Sequence, residues 1–229
     1  MHRILIMDDE KEITHLMKKC FEEAGYEAEV AHNGADGLKL LEQNTFSLVI
    51  LDIMMPGMNG YEVCEKIREK NNLPIIMVSA MGQDEDKIKG LITGSDDYIV
   101  KPFCMEELLA RVNSQIRRFT YFNQGISKLP SQIEIKGLTI KEEQHKVFLY
   151  GEEIKLTPTE YNILLLLAKH PGKVYSSEEI YRELWAEKYF EGNNTVMAHM
   201  WRLREKIEAD PKNPQIIETV WGVGYKIDI

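Results

Sequence analysis

Residues that could bind or accept a phosphoryl group stand at the ends of short apolar runs in the first half of the chain. Residues 4–7 lead into Asp8 and Asp9, and residues 47–51 lead into Asp52. Apolar runs of this length are typical of buried parallel strands. Because the carboxyl ends of such strands meet at one edge of a sheet, where α/β proteins bind ligands, we expect the three carboxylates to lie close together.

Carboxylates gathered at the rim of an apolar sheet are unfavourable unless a cation meets them. Burial and mutual repulsion both penalise the charged forms. Hard oxygen ligands at an open position suit Mg²⁺, which keeps several of its waters. The sequence therefore predicts a magnesium site formed by Asp8, Asp9, Asp52 and the backbone carbonyl of Met54.

Two further strand ends supply a hydroxyl and an ammonium group. Residues 75–78 lead into Ser79, and residues 97–100 lead into Lys101, which a proline follows. An X-Pro bond can be cis, and a fixed turn there would direct the lysine at the site. With Asp52 as nucleophile, Ser79 and Lys101 would stabilise the oxygens of a phosphoryl group transferred to the aspartate.

A structural role for Asp52 is the main alternative. An aspartate after a strand is commonly the N-cap of the next helix, and Asp52 alone does not separate the two roles. The coincidence of Asp8, Asp9 and Lys101 at neighbouring strand ends favours the chemical role. Ser79 alone is uninformative, because serine is common in turns.

Strands alternate with helices through residues 1–118. Apolar spacing predicts helices after Asp9, at residues 35–41, 61–70 and 85–92, and from residue 105 to about 119, between five strands. This alternation predicts an α/β domain: a doubly wound, flavodoxin-like, five-stranded parallel sheet with helices on both faces.

Composition limits the class of protein. The 229 residues, 44% of them apolar, suffice for two compact domains. Charges interrupt the first apolar run after residue 7, and no run is long enough to cross a membrane, so we expect a cytoplasmic protein. The cysteines, Cys20, Cys64 and Cys104, are odd in number and far apart, which favours reduced thiols.

The second half has a different pattern. Residues 119–132 contain Gly125 and Pro130 without a usable period, and we interpret them as a linker. Residues 133–229 are predicted to hold a small antiparallel sheet, a helix beginning at Thr157, two more helices, and a terminal hairpin around Gly222. Three helices with such a hairpin predict a winged helix-turn-helix domain.

The third of these helices is the candidate DNA-binding element. Val196, Met200, Leu203 and Ile207 fall at core spacing. The remaining positions are predicted to contact DNA in the major groove, where arginine can bond guanine and alanine can touch a thymine methyl group. These are Asn194, Thr195, Ala198, His199, Trp201, Arg202, Arg204 and Lys206. A solvated helix face is the alternative, and the hairpin counts against it. Since residues 122–229 carry 14 basic and 16 acidic residues, any DNA binding must use a local patch.

Residues 3–118 resemble the receiver family of two-component response regulators. The likeness is carried by Asp8-Asp9, Asp52 with the following MMPGMNG, Ser79-Ala80, GSDDYIVKPF at 94–103, and ELLAR at 107–111. The resemblance implies that a partner sensor histidine kinase phosphorylates Asp52 in a Mg²⁺-dependent step. It also implies that Ser79 and Tyr98 move inward on phosphorylation. Tyr98 could instead be an ordinary strand aromatic.

The same resemblance implies a homodimer formed on phosphorylation. Lys87 would pair with Glu107, and Asp97 with Arg111, across a two-fold axis. Without the family likeness these charges would be ordinary solvated surface groups, which contribute little to stability.

The second half resembles the DNA-binding domain of the OmpR/PhoB subfamily. The likeness is carried by LTPTEYNILLLL at 156–167, NNTVMAHMWRLREKIE at 193–208 and TVWGVGYKI at 219–227, the last most similar to regulators of the vancomycin-resistance type. It implies binding to direct repeats in promoter DNA, an RNA polymerase contact at residues 185–192, and a hairpin along the minor groove. Trp201 and Trp221 stand where the family often has basic residues, so we expect a shallow salt dependence.

The sequence thus predicts a transcription factor switched by phosphorylation of Asp52, with no enzymatic activity beyond its own Mg²⁺-dependent phosphorylation and dephosphorylation. One alternative is an aspartyl-phosphate hydrolase, but such enzymes usually need a second acid where this chain has Met54. The other is a constitutive DNA-binding protein, which nothing in the residues favours.

Overall fold

The computed structural model describes residues 2–80, 89–91, 93–123, 132–185 and 195–228. The chain divides into two compact units, Met1–Phe119 and Thr120–Ile229. Each unit has a hydrophobic core of its own. No helix within the described ranges combines the length and apolar character needed to cross a membrane.

The first unit is a five-stranded parallel sheet between helices, as predicted. Its strands and helices are β1 (Arg3–Met7), α1 (Lys11–Glu23), β2 (Glu27–Ala31), α2 (Gly34–Gln43), β3 (Leu48–Asp52), α3 (Gly60–Lys70), β4 (Ile75–Ser79), β5 (Asp97–Val100) and α4 (Met105–Asn123). The strand order is β2-β1-β3-β4-β5. Residues 89–91 are helical, and most of the helix predicted at 85–92 lies outside the described residues.

Both faces of this sheet are buried. Leu5 and Met7 of β1 belong to the core under α2 and α3, whereas Ile4 and Ile6 belong to the core under α1 and α4. Successive side chains of a strand point to opposite faces. A strand covered on both sides therefore has no polar alternation, which is why the strands were visible as continuous apolar runs.

The sheet register brings the predicted site residues to one edge. Met7 pairs with Leu51, so Asp8 follows β1 beside the position where Asp52 closes β3. Asp52 pairs with Val78, the residue before Ser79. Ser79 pairs with Val100, the residue before Lys101. All four chemical groups therefore follow parallel strands at their carboxyl ends.

The turn after β3 is held tightly against that edge. Gly60 N donates to Ile53 O over 3.0 Å, and a Cβ on Gly60 would lie 2.4 Å from the Asp52 carbonyl oxygen. Only glycine fits that approach. Asn59 then caps α3 through a reciprocal bond pair with Glu62, so the turn is fixed at both ends.

The second unit combines a small sheet, three helices and a hairpin, and the predicted winged helix-turn-helix class is confirmed. Its elements are β6 (Gln132–Ile135), β7 (Leu138–Lys141), a 3₁₀ turn (Glu142–Gln144), β8 (Lys146–Leu149), β9 (Glu152–Ile154), α5 (Pro158–Lys169), α6 (Ser177–Trp185), α7 (Thr195–Ile207), β10 (Glu218–Val220) and β11 (Gly224–Lys226). Strands β6 to β9 form an antiparallel sheet in sequence order, and β10 pairs with β11.

The predicted linker at 119–132 begins too early. Helix α4 continues to Asn123, because no glycine or proline interrupts it before Gly125, and β6 already begins at Gln132. Residues 124–131 lie outside the described residues, so the linker role there stays a prediction.

Helix α5 begins as the sequence indicates. Thr157 and Glu160 form a capping box in which Glu160 Oε2 accepts from Thr157 N over 2.8 Å. The helix is buried on nearly every side, and Ile163, Leu164 and Leu167 lie in the core. The positions assigned to the core side of α7, namely Val196, Met200, Leu203 and Ile207, are all buried there as well.

Candidate functional site

Three carboxylates converge at the carboxyl edge of the parallel sheet. Asp8, Asp9 and Asp52 each offer an oxygen atom, and these atoms lie within 4.8 Å of one another. Asp8 and Asp52 are buried, whereas Asp9 is exposed. One side of the cluster is therefore open to solvent and to an incoming molecule.

Lys101 supplies the balancing positive charge. Its Nζ lies 2.9 Å from Asp8 Oδ2, 3.0 Å from Glu10 Oε1 and 3.4 Å from Asp52 Oδ1. The Lys101–Pro102 peptide bond is cis, as the sequence analysis allowed. Sequence reasoning missed Glu10, although an acid directly after an aspartate pair was a signal that it could join the same cluster.

The surroundings of Asp52 oppose its negative charge. Burial raises the pKa of Asp52 to about 6; the positive charge of Lys101 acts against this shift, and the negative charges of Asp8 and Asp9 add to it. For Lys101, burial alone would lower the pKa, but hydrogen bonds to Asp8 and Glu10 and the charge of Asp52 together raise it. The lysine therefore stays protonated while the aspartate is held in an unfavourable charged state.

The cluster is compatible with a magnesium ion. Asp52 Oδ1 is buried and has no hydrogen-bond partner within the described part of the chain, since Lys101 is at ion-pair distance only. A cation shared by Asp8, Asp9 and Asp52 would satisfy that oxygen and lower the repulsion among the carboxylates. Met54 follows two residues after Asp52 with an exposed side chain, and the role of its carbonyl stays a prediction.

The two predicted switch residues are both inside. Ser79 is fully buried at the end of β4. Tyr98 is also buried, and its ring lies where a Cβ on Gly90 would be about 3.0 Å away. Both side chains are therefore buried, and their inward movement on phosphorylation stays a prediction.

Three of the predicted dimer-contact residues form ion pairs with one another inside the chain. Arg111 Nη1 lies 3.1 Å from Asp97 Oδ1, and Arg111 Nη2 lies 2.9 Å from Glu107 Oε1, all within one chain. Glu107 and Arg111 are one helical turn apart, so this pairing needs no partner molecule. The pairing of Asp97 with Arg111 across a two-fold axis therefore stays a prediction. Lys87 lies outside the described residues.

Two of the predicted DNA contacts on α7 are buried. His199 is 1% exposed and lies 5.8 Å, ring centre to ring centre, from Trp185 of α6, while Ala198 is 5% exposed. The buried arc of α7 is wider than four core positions suggested, because α5 and α6 both pack on it. Ala198 and His199 are therefore corrected to packing residues, and Asn194 lies outside the described residues.

The basic residues of α7 are engaged inside the unit. Lys206 Nζ lies 2.5 Å from Oε2 of the fully buried Glu160, and Arg202 Nε lies 3.4 Å from Oε1 of the same residue. Arg204 donates to Ile217 O and to the Thr219 hydroxyl, at 2.6 and 2.8 Å. Arg204 and Lys206 therefore connect α7 to the hairpin and to α5, and their role as DNA contacts stays a prediction.

The solvent-exposed side chains of α7 differ in part from those predicted to contact DNA. Thr195 and Arg202 are partly exposed, and Trp201 is exposed as predicted. Met197 is also exposed and was missed, although its spacing of four residues from Trp201 on the side away from the core would have revealed it. At the hairpin tip Trp221 is 90% exposed.

Known protein families match both units of the chain. The family described as "Response regulator receiver domain" matches residues 4–113, and the family described as "Transcriptional regulatory protein, C terminal" matches residues 151–227. Regulatory protein VanRc of Enterococcus gallinarum is 42% identical over 227 residues, covering 99% of this chain and 98% of the relative. Transcriptional regulatory protein ResD of Bacillus subtilis is 41% identical over 232 residues, with 99% and 96% covered.

Solved structures give the same result. The response regulator DrrB, described as a Thermotoga maritima OmpR/PhoB homolog, is 33% identical with full coverage of both chains and a TM-score of 0.51. A RitR mutant reaches a TM-score of 0.80 at 24% identity over 100% of this chain and 99% of that one, which shows the shared fold. The chain belongs to the two-component response regulators of the OmpR/PhoB type, transcription factors that join a receiver domain to a winged-helix DNA-binding domain.

Proposed function

We propose that Asp52 is the residue through which a sensor histidine kinase controls this transcription factor. The observation that carries the proposal is the convergence of Asp8, Asp9, Asp52 and Lys101 within one cluster. A buried carboxylate with a raised pKa and an adjacent lysine suits a nucleophile whose charge is relieved when it becomes an acyl phosphate.

In the proposed reaction an Asp52 oxygen attacks the phosphorus of a phosphohistidine. The new O–P bond forms as the N–P bond breaks, and the imidazole leaves with the bonding electron pair and takes a proton. Lys101, 3.4 Å from Asp52 Oδ1, would neutralise charge on the phosphoryl oxygens, and the Ser79 hydroxyl would donate to one of them.

The divalent ion that fits this cluster is Mg²⁺, held by Asp8, Asp9, Asp52 and the Met54 carbonyl. When bound, it neutralises negative charge on the transferring phosphoryl group. Water that later enters the same pocket would hydrolyse the acyl phosphate, so we propose self-dephosphorylation as the reset of the switch.

The output proposed is a phosphorylation-dependent homodimer on promoter DNA. Arg111 now holds Asp97 and Glu107 of its own chain, and an exchange of these partners between two chains would form a symmetric contact without new charged residues. Lys87 is proposed to join that contact. We propose residues 185–192 as the RNA polymerase contact and the cytoplasm as the location of the protein.

Labelling with ³²P-acetyl phosphate in Mg²⁺ tests the acceptor. We expect one phosphate per chain that is labile to acid, base and hydroxylamine, lost completely in Asp52→Asn and retained in Asp36→Asn, which replaces an exposed aspartate of α2. Chelation with EDTA should also abolish uptake. Label that persists in Asp52→Asn at the level of the Asp36→Asn control would move the acceptor to another residue.

A further inference from the structure

The solvent-facing surface of α7 is apolar. Met197 is 56% exposed and Trp201 is 41% exposed. They are four residues apart on a helix and therefore lie next to each other on one face. Glu205, one turn further along, is exposed as well and carries the wrong charge for a phosphate contact. The face that α7 offers to a partner is thus dominated by two large apolar side chains.

The cations of the same helix are turned toward the protein. Lys206 and Arg202 meet the buried Glu160, and Arg204 bonds to the base of the hairpin. A guanine contact by any of them would first require an existing partner to be given up. Since residues 122–229 also carry more acidic than basic residues, this unit has little charge available for reading bases.

The apolar pair is small compared with a protein interface. Stable protein interfaces bury about 800 Å² on each partner, many times the area of two side chains on one helix. Two adjacent side chains do match the edges of two or three base pairs. In the major groove the thymine 5-methyl group is the apolar feature that such side chains can contact, and the minor groove has no equivalent.

We propose that Trp201 and Met197 determine DNA sequence preference by contact with thymine 5-methyl groups in the major groove. The proposal rests on the entry of α7 into the major groove. It assigns specificity to apolar contacts, whereas an arginine-based surface would read guanine. Arg202, partly exposed beside Trp201, then serves to flank the apolar pair.

Deoxyuridine in place of thymine removes only the methyl group and gives a direct probe. Full-length protein treated with acetyl phosphate first selects duplexes from a random pool, and each thymine of the selected site is then replaced singly by deoxyuridine. Burial of one methyl group corresponds to roughly a three- to fivefold change in affinity. We expect losses of that size at one or two positions and no change at the others.

Single-residue variants show which side chain is responsible for the sensitivity to deoxyuridine. In Trp201→Ala and Met197→Ala, the sensitive positions should lose their response to deoxyuridine. Trp221→Ala provides a matched control, because the hairpin is predicted to lie along the minor groove, where no thymine methyl group is displayed, and the response should remain. Tyr150→Asn controls for the loss of an exposed aromatic elsewhere, with a residue that tolerates its positive φ.

Trp201→Arg gives an independent reading. This substitution should remove the deoxyuridine response and steepen the dependence of log affinity on log salt by about one. Its fold can be checked through the fluorescence of the buried Trp185.

Three outcomes would overturn the inference. The first is a selected site at which no deoxyuridine matters. The second is an undiminished response in both Trp201→Ala and Met197→Ala. The third is a Trp201→Ala variant with unchanged DNA binding, which would assign the apolar pair to a protein partner. If the chain selects no duplex at all, DNA binding through α7 itself fails, which is a distinguishable result.

Discussion

Each unit of this protein contains a buried carboxylate beside a lysine, and the two serve opposite purposes. Glu160 Oε2 accepts a backbone hydrogen bond from Thr157 and lies 2.5 Å from Lys206, whereas its other oxygen, Oε1, is buried without a hydrogen-bond partner in the described part of the chain. Asp52 Oδ1 also lacks a hydrogen-bond partner within the described residues, and the lysine beside it is 3.4 Å away and closer to Asp8. A buried acid held by a backbone hydrogen bond and a close lysine of its own acts as a structural clamp, whereas one whose lysine is shared with another acid is available for reaction.

The loss of the Glu160 carboxylate should have the largest effect on stability. Glu160→Ala removes the helix cap and leaves Lys206 and Arg202 without their counter-charge, which we expect to cost about 3–5 kcal/mol of the second unit's unfolding free energy. All three tryptophans lie in the second unit, so urea unfolding followed by tryptophan fluorescence reports on it alone. Glu160→Gln keeps an acceptor for the cap and should cost less. Equal, small losses in both variants would mean that the clamp is not structural.

The loss of the Asp52 carboxylate should change stability in the opposite direction. The pKa of Asp52 is raised from 3.8 to about 6, so the folded receiver binds a proton more readily than the unfolded chain. At pH 7 without Mg²⁺ the charged form is disfavoured, and Asp52→Asn should stabilise the receiver by up to about 3 kcal/mol. This change in the receiver's unfolding free energy can be measured by hydrogen exchange of the peptides that contain β1 to β5, with EDTA present to remove Mg²⁺.

The raised pKa of Asp52 also determines how the stability difference between Asp52→Asn and the unmodified chain depends on pH. As pH falls through about 6 toward 3.8, Asp52 takes up its proton in the folded state, and the advantage of Asp52→Asn should disappear. If Asp52→Asn is less stable than the unmodified chain at pH 7, Asp52 stabilises the fold as Glu160 does, and the contrast between these two acids is wrong.

Backbone geometry beneath Asp52 should matter less than its charge. Gly60→Ala places a Cβ 2.4 Å from the Asp52 carbonyl oxygen, so the turn after β3 must shift. We expect a loss of about 1–3 kcal/mol and slower phosphate uptake from acetyl phosphate. Gly57→Ala is the control, since its Cβ would meet nothing within 4 Å, although the positive φ of Gly57 adds some strain. If phosphate uptake is slowed equally in both variants, the close approach of Gly60 to the Asp52 carbonyl oxygen is not what determines the rate.

The stability of the second unit should fall as the pH is lowered, opposite to the effect of Asp52 on the receiver, and this change should be the smallest of those predicted. Burial lowers the pKa of His145 from 6.5, so the unfolded chain binds the proton first and stability falls as pH drops below about 6.5. His145→Asn, which tolerates the positive φ of that position, should flatten this dependence in tryptophan-monitored unfolding. An unchanged slope would show that other groups produce it.

The two units also differ in how far their sites follow from sequence. Asp8, Asp52, Ser79 and Lys101 were predictable, because parallel topology forces the residues after successive strands to one edge. Glu10 could be suspected only from its place directly after the aspartate pair, since its contact with Lys101 depends on a side-chain conformation.

On α7 a helical period identifies the centre of the buried face but not its width. The width depends on packing from two other helices, so Ala198 and His199 were misplaced. The partners of Arg202 and Lys206 depend on Glu160, 42 and 46 residues earlier in the chain. No local pattern could have predicted these pairs.

The most direct test of the central claim joins both units in one measurement. The affinity of the full-length protein for a selected duplex is measured at fixed salt, with and without acetyl phosphate and Mg²⁺, for the unmodified chain and for Asp52→Asn. The account predicts that the phosphodonor tightens binding by roughly 5- to 100-fold in the unmodified chain and leaves Asp52→Asn unchanged. Equal affinities with and without the donor, or the same gain in Asp52→Asn, would contradict it.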